Sequence, residues 1–325
     1  MKYLLTACAM TISTLAGSVY AAQWPERPVK IVVPFKAGGS TDLTARQFTA
    51  AIEENKLLPQ ALSVVNVGGH SSVGARRVKD AKANGYEFLV HETGLIGAQA
   101  AGIIDFGYKD YKPVAATGQV CMALLARKDS GFDSLGDAVA WATKRPSEMV
   151  FGVNFGGLNH MAGILIENAT GVKFRYAQIG GSADNFAALT GKQIQLAAVG
   201  AAGAKNFTLD KNGNLSDASQ VKTLALLDKN SHPQLPGVKT AKEQGVDVNF
   251  CFSSYWLAPK DTPDHIVDQF ANALEAASKT SRVQNFYKNT LTSPVFIKGE
   301  SFAKHLDETA EVIGPIAKQA ALSKN

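Results

Sequence analysis

Val29-Lys30-Ile31-Val32-Val33-Pro34-Phe35-Lys36-Ala37-Gly38-Gly39-Ser40-Thr41-Asp42 decides the fold. Ile31, Val32 and Val33 form a β-branched run of the kind that makes a buried strand. Pro34 ends it, having no N–H to add to a ladder. Gly38 and Gly39 let the backbone turn tightly and approach another group closely. Ser40, Thr41 and Asp42 are helix-initiating residue types, and Leu43, Ala45, Phe48 and Ile52 follow at helical spacing. Strand, glycine turn, helix start is an order that points free backbone N–H groups outward, and such a point attracts anions.

Upstream, Lys2 and the apolar run Tyr3 to Ala16 precede the small-residue signal Val19-Tyr20-Ala21. This is the pattern of a cleaved signal peptide over 1–21, with Ala22 as the first mature residue and export to the periplasm. Leu5-Thr6-Ala7-Cys8 offers a rival reading as a lipid-anchoring box, but only seven residues precede Cys8. The formal charge of +5 falls to +4 with the loss of Lys2, and the basic residues are scattered. That pattern is a solvated surface with a mild bias toward anionic ligands, not a nucleic-acid interface. Two cysteines remain downstream, Cys121 and Cys251. An exported chain could bond them, or they could be two buried thiols.

The rhythm of the first stretch recurs. Leu62 to Val67 alternates as a strand, Gly68-Gly69-His70-Ser71-Ser72 follows, and a helix begins at Val73. Tyr86 to His91 is a third strand, ending in Glu92-Thr93-Gly94. Repeated strand–loop–helix units predict open, mainly parallel sheets with ligands beyond the carboxyl ends of the strands. Pro113 to Ala126 breaks the rhythm as one long, interrupted strand, and Val248 to Leu257 does so again. These read as two crossover strands between two α/β lobes, a natural hinge. Between them, strands are expected at Met149 to Val153, Phe174 to Ile179, Gln193 to Val199 and Val221 to Leu227. Helices are expected at Ser134 to Lys144, Met161 to Asn168, from Ser182, and after the return at 264–278, 281–289 and 302–321, the last three packing on the first lobe.

Catalytic signatures are scarce. Gly69-His70-Ser71-Ser72-Val73 approaches a nucleophile elbow but carries Val73 where the final glycine belongs. An exported hydrolase using Ser71 or Ser40 is therefore the weaker alternative. No His pair stands at metal-ligand spacing, and His160 is read as capping or lining its glycine loop. Glycine loops that open helices recur instead, at Ala37 to Thr41, Phe155-Gly156-Gly157 and Gly180-Gly181-Ser182. Split between two lobes, they predict helix N-termini converging on a cleft from both sides.

The residues also carry a likeness. Trp24-Pro25 with Arg27-Pro28, then VVPFKAGGSTD, resembles the start of the substrate-binding proteins of tripartite tricarboxylate transporters, the Bug-type periplasmic receptors. Asn84-Gly85-Tyr86, Asn159-His160-Met161-Ala162-Gly163, Leu235-Pro236-Gly237-Val238-Lys239-Thr240, and Leu257-Ala258-Pro259 with Thr262-Pro263 are similar to further family segments in the same order. The resemblance implies a two-lobed Venus-flytrap receptor without enzymatic activity or cofactor. Lobe 1 would be 22–120 and 254–325, and lobe 2 121–253. A small organic acid or amino-acid-like ligand would be held largely by backbone N–H groups and delivered to integral-membrane carrier subunits. A sensory receptor of the same fold is the alternative, and a monomer is expected. The binding set implied is Phe35, Ala37, Gly38, Gly39, Ser40, Thr41, Asp42, Glu92 and Thr93 from lobe 1. From lobe 2 it is Asn154, Phe155, Gly156, Gly157, Asn159, His160, Gly181, Ser182 and Val199. Three departures stand out. Lys36 replaces a usual proline. The second loop has lost its hydroxyls. Glu92 stands where a small hydroxyl residue is common, facing either the ligand or solvent; facing a ligand, it would ask for an amine or hydroxyl.

Overall fold

The structure is a computed structural model and describes residues 24–210 and 212–322; the expected signal peptide and Cys8 lie outside the described residues. The first half alternates strand and helix as the residue pattern requires: β1 (Val29–Val33), α1 (Ser40–Glu54), β2 (Leu62–Asn66), α2 (Ser71–Lys79), β3 (Glu87–Glu92), α3 (Gly94–Ala100). Strand β1 pairs in parallel with β2 on one side and β3 on the other. Successive side chains of β1 go to opposite faces. Ile31 and Val33 enter a core with Phe48 of α1, while Val32 enters a second core with Ala75 of α2. A strand covered by helices on both faces has no polar side to show, which is why it reads as an unbroken β-branched run.

The next strand, β4 (Tyr111–Arg127), is 17 residues long and belongs to two sheets. Its first part pairs antiparallel with β9 (Cys251–Pro259) and β10 (Thr292–Lys298). Its last part, from Met122, pairs instead with β7 (Leu196–Gly200) and β8 (Val221–Leu227). Register shifts after Pro113 and Thr117 accommodate Pro113, which lacks an N–H, and Gly118, whose φ is +61°. Strand β9 closes the first sheet against β3, so that lobe is ordered β2-β1-β3-β9-β4-β10. The second sheet adds a parallel trio, β7, β5 (Val150–Val153) and β6 (Arg175–Gln178). Its helices are α4 (Leu135–Lys144), α5 (Leu158–Thr170), α6 (Ser182–Thr190) and α7 (Ala201–Thr208). Each lobe is thus a parallel trio flanked by antiparallel crossover strands, and the expected two-lobed α/β architecture is present in mixed rather than mainly parallel sheets.

Helices α8 (Asp264–Ser278) and α9 (Ser281–Asn289) pack on the first lobe as expected. The last helix, α10 (Gly299–Leu322), does more. It lies on both α3 and α5, and the side-chain amides of Asn168 and Gln319 exchange hydrogen bonds of 2.9 and 2.6 Å. It straps the two lobes together rather than serving lobe 1 alone. Helices α3 and α7 were not legible in the sequence. Their glycine-bearing strings, GLIGAQA and AAGAKNFT, are poor helix formers that packing imposes. Gly97 shows why: a side chain there would meet the Gly156 carbonyl and the Met161 methyl, each at 2.6 Å, so α3 and α5 can approach only over a glycine.

Cys121 and Cys251 face each other in the β4–β9 register, and their sulfurs are bonded. The bridge lies where β4 changes sheets and closes 130 residues of chain. Alkylation without reductant, read by intact mass, should label neither cysteine, and reduction should expose both; two labels on unreduced protein would refute the bond. The double Cys→Ser variant should lose about 2–4 kcal/mol of unfolding free energy in a denaturant titration.

Candidate functional site

The cleft between the lobes is built from helix starts. Helices α1, α5, α6 and α7 have glycine at the N-cap (Gly39, Gly157, Gly181, Gly200), each in extended conformation, so the N-cap residue itself has no side chain with which to cap the first turn. Helices α4 and α9, which do not reach the cleft, are capped by Ser134 and Thr280. The first turns of a helix have no carbonyl of their own to bond. Residues from all four of these starts border one cavity of about 470 Å³ of open space, its mouth included: Gly39 to Thr41, Gly157 to Asn159, Gly180 to Ser182, and Gly200. Its wall holds no lysine or arginine.

The loops are held by their own side chains. Asp42 was expected in the binding set, but its carboxylate turns into the lobe. It accepts from the Gly38 N–H at 2.9 Å, Arg46 Nε at 3.0 Å and Asn66 Nδ2 at 2.8 Å, fixing the loop from behind. This removes a negative charge from beside the exposed N–H groups. Asn159 plays the matching part at α5: its Oδ1 accepts from the Asn154 and His160 N–H groups, and its Nδ2 donates to the Gly180 carbonyl at 2.9 Å. The Asp184 carboxylate accepts from the Gly181 N–H at the start of α6.

The lobes are apposed across this cleft. Lys36 Nζ lies 2.6 Å from Asp184 Oδ1, and this contact holds the lysine pKa above its ordinary value. The Gly203 N–H of α7 donates to Ser40 Oγ at 3.2 Å. Asn154 Nδ2 donates to Ser71 Oγ at 2.8 Å. His70 Nε2 donates to the Phe155 carbonyl at 3.1 Å, its Nδ1 accepting from the Ser72 N–H. Ser71, weighed as a nucleophile, is therefore buried as the acceptor of an interlobe hydrogen bond, and the neighbouring His70 ring is engaged elsewhere. Glycine makes the approach close: a side chain on Gly200 would fall 2.3 Å from Ser40 Oγ, and one on Gly181 2.9 Å from Phe35.

Of the expected binding residues, Phe35, Gly39, Ser40, Thr41, Glu92, Asn154, Gly157, Asn159, Gly181 and Ser182 border the cavity. Ala37, Gly38, Phe155 and Gly156 belong to the loops behind its wall. His160 is buried beneath Phe155 and Tyr176, its Nδ1 accepting from the Gly156 N–H. Thr93 turns away to bond Tyr255. Val199 is displaced by strand alternation: Ala198 and Gly200 face the cavity, so Val199 points the other way. Residue patterns missed Met122 and Phe252, which stand next to the bonded cysteines on the crossover strands, together with Leu158; Gly180 belongs to a glycine loop expected at the cleft, and Ala198 and Gly200 flank the expected Val199. The signal for the crossover pair lay in period 2, because a cysteine facing its partner across β4 and β9 sends the next residue to the other face.

Glu92 closes the floor. It is 5% exposed, and Oε2 accepts the Gly94 N–H at the start of α3. Oε1 accepts no hydrogen bond among the described residues. Its neighbour at 3.9 Å is His91 Nδ1, which takes the Glu92 N–H at 2.8 Å and so cannot donate. Burial pushes the Glu92 carboxyl up to about 7, the Gly94 N–H opposing, and burial pulls His91 down to about 4. At neutral pH the histidine is uncharged, so their proximity is not an ion pair.

A two-lobed α/β fold closing on a cavity lined by helix starts defines a solute-binding receptor. Among the described residues no helix is long and apolar enough to cross a membrane. Residues 44–322 match the family described as tripartite tricarboxylate transporter family receptor, and the chain belongs to that family. A UPF0065 protein in the TAR-I ttuE-ttuC' intergenic region of Agrobacterium vitis is 32% identical over 84% of this chain and 77% of that protein. The structure of the periplasmic binding protein BugD superposes with a TM-score of 0.80 at 24% identity, covering 91% of this chain and 98% of that one. An R. palustris protein solved with adipate gives a TM-score of 0.80 at 25% identity over 92% and 98%. The matched family is thus one of receptors, and BugD is a periplasmic binding protein.

The folded-state pKa of Glu92 lies above its ordinary 4.5, so folding favours its protonated form. That contribution is complete below about pH 4.5 and is lost as pH rises through about 7. Glu92→Gln, uncharged throughout, should be more stable than the parent by up to about 3 kcal/mol near pH 8, the gap closing toward pH 4.5. Parallel melting curves across that range measure it; a pH-independent difference would contradict a buried, titrating Glu92. The His91 effect has the opposite sign, stability falling as pH drops from 6.5 toward 4, and is common to both proteins.

Proposed function

We propose that the chain is an extracytoplasmic receptor that closes on a small carboxylate and presents it to integral-membrane carrier subunits of the tripartite tricarboxylate type. The observation that carries this reading is the meeting of four glycine-started helix N-termini in a wall without lysine or arginine. Each such start contributes roughly 0.3–1 kcal/mol to an anion when exposed and up to ~2 kcal/mol when partly buried. The Thr41 hydroxyl adds a donor: it is 6% exposed, borders the cavity and has no hydrogen-bond partner among the described residues. The adipate in the R. palustris neighbour supports a carboxylate ligand. The moving bodies are 22–120 with 254–325 and 121–253, hinged at β4 and β9. The contacts of Lys36, Ser40, His70 and Ser71 with lobe 2 support closure between those bodies. The signal-like start and the receptor family support a periplasmic location.

A thermal-shift screen of mono-, di- and tricarboxylates beside their neutral amides tests this. At a hundredfold excess over Kd a carboxylate should add about 2.7 kcal/mol, a rise of several degrees, and its amide should not. Silence from every acid with a response to a neutral compound would overturn the reading. Gly200→Ala tests closure, since alanine suits the backbone there (φ −63°, ψ 141°) but would collide with Ser40 of the facing lobe. It should fold normally and bind the acid about tenfold more weakly or worse, overpacking costing ~1–3 kcal/mol. Unchanged affinity would refute the apposition as the ligand-bound arrangement.

A further inference from the structure

Glu92 is the one ionisable side chain in the cavity wall, and nothing in an anion site asks for it. It is more than nine-tenths buried, with Oε1 unpartnered among the described residues and no cation bonded to it. The other large side chains of the wall are apolar, Phe35, Met122, Leu158 and Phe252, and its polar ones, Ser40, Thr41, Asn154, Asn159 and Ser182, are uncharged. Two aromatic rings, Phe35 and Phe252, line the same cavity as the Glu92 carboxyl. A second ligand carboxylate placed there would meet Glu92 with no lysine, arginine or charged histidine to offset the repulsion. An ammonium would find the free Oε1 and the aromatic rings, both of which attract cations. From this geometry we infer that the receptor's ligand is an amino-carboxylate, its carboxylate at the helix starts and its ammonium against Glu92.

This rests on the carboxylate-receptor reading and narrows it. The titratable groups around Glu92 are His91 on its own strand, Tyr255 on β9, His70 on the α2 loop, and the Lys36–Asp184 pair at the mouth. His91 is neutral down to about pH 4 and Tyr255 is held above its ordinary value, so neither changes charge between pH 5.5 and 7.5. An ammonium requires ionised Glu92, so its binding weakens as pH falls through about 7. A diacid would have to share a proton with Glu92 and would bind more tightly as pH falls. The two ligand classes therefore give pH slopes of opposite sign.

Calorimetric titration of the mature protein decides between them. The probes are β-alanine, γ-aminobutyrate, alanine and valine; propionate, butyrate and isovalerate as acids without the amine; succinate and glutarate as diacids; and butylamine, which lacks the carboxylate. At least one amino acid should bind roughly tenfold or more tightly than the acid lacking its amine and the diacid of similar length. Its affinity should fall by more than about tenfold from pH 7.5 to 5.5. Glu92→Gln should abolish both the preference and the slope, which assigns the slope to Glu92 rather than His70. A diacid that binds best, and better at low pH, overturns the amino-carboxylate assignment while the carboxylate reading stands, as does equal affinity for amino acids and the acids without the amine. Butylamine binding with silence from every acid overturns the carboxylate reading itself. Should Glu92→Gln fail to fold, the parent protein's own slope and preference settle the sign.

Discussion

Backbone N–H groups at helix starts that no side chain satisfies are the constraint around which this molecule is arranged. Such groups are tolerated on a surface, where water serves them, and costly when buried unpaired. Four helix starts border one cavity here, each behind a glycine that offers no cap, and Asn159, Asp184 and Ser40 take up only some of their N–H groups. In an open cleft water would serve the remaining groups, and when the lobes meet those groups ask for an acceptor. Closure and ligand capture are then one event, because the closed form with nothing accepting those bonds carries the unsatisfied groups.

What lets the lobes meet is largely absence. Gly97, Gly156, Gly181 and Gly200 stand where a side chain would hold the surfaces apart, and short polar contacts fill the space gained. Strand β4 supplies the rest of the geometry. It belongs to both sheets, so the lobes cannot separate but can bend where its partners change. The disulfide pins β9 to β4 at that point, and α10 spans both lobes at the far end. Lys36 and Asp184 sit at the rim of the cleft. That pair is exposed on the lysine side, so its energy is small and screened. It fits a latch that must also release.

The strand–loop–helix rhythm and both crossovers were legible because they rest on local rules: β-branched runs, glycine turns, apolar spacing. The ends of α8 and α9 agree with the structure to the residue, since the apolar positions of each repeat at helical spacing without interruption. Helices α3 and α7 were not legible, being glycine-rich strings whose helicity is set by the partner they pack on. The site followed the same division. Loops opened by glycine identified most of the wall, whereas side-chain direction misled at Asp42, Thr93 and Val199. Asp42 matches an anion-loop pattern in sequence, yet Arg46 and Asn66 draw its carboxylate backward. One of these partners is a helical turn onward and the other 24 positions away on β2, and spacing within the loop cannot report them. Met122 and Phe252 enter the wall only because β4 and β9 are paired in the register that bonds the cysteines.

Glu92 shows how a general anion trap becomes a selective one. The helix starts favour any small acid alike, so they cannot distinguish one from another. Discrimination has to come from the other end of the cavity, by penalising wrong ligands as much as rewarding the right one. A single buried carboxyl among apolar residues does this with one side chain. It repels a second acidic group, leaves an uncharged tail without a partner for Oε1, and is itself eased by a cation. The cost is visible in the empty protein, where burial holds the group near the edge of protonation at neutral pH. A carboxyl kept in that state responds to the charge of whatever arrives, and that makes it the residue whose identity sets the ligand.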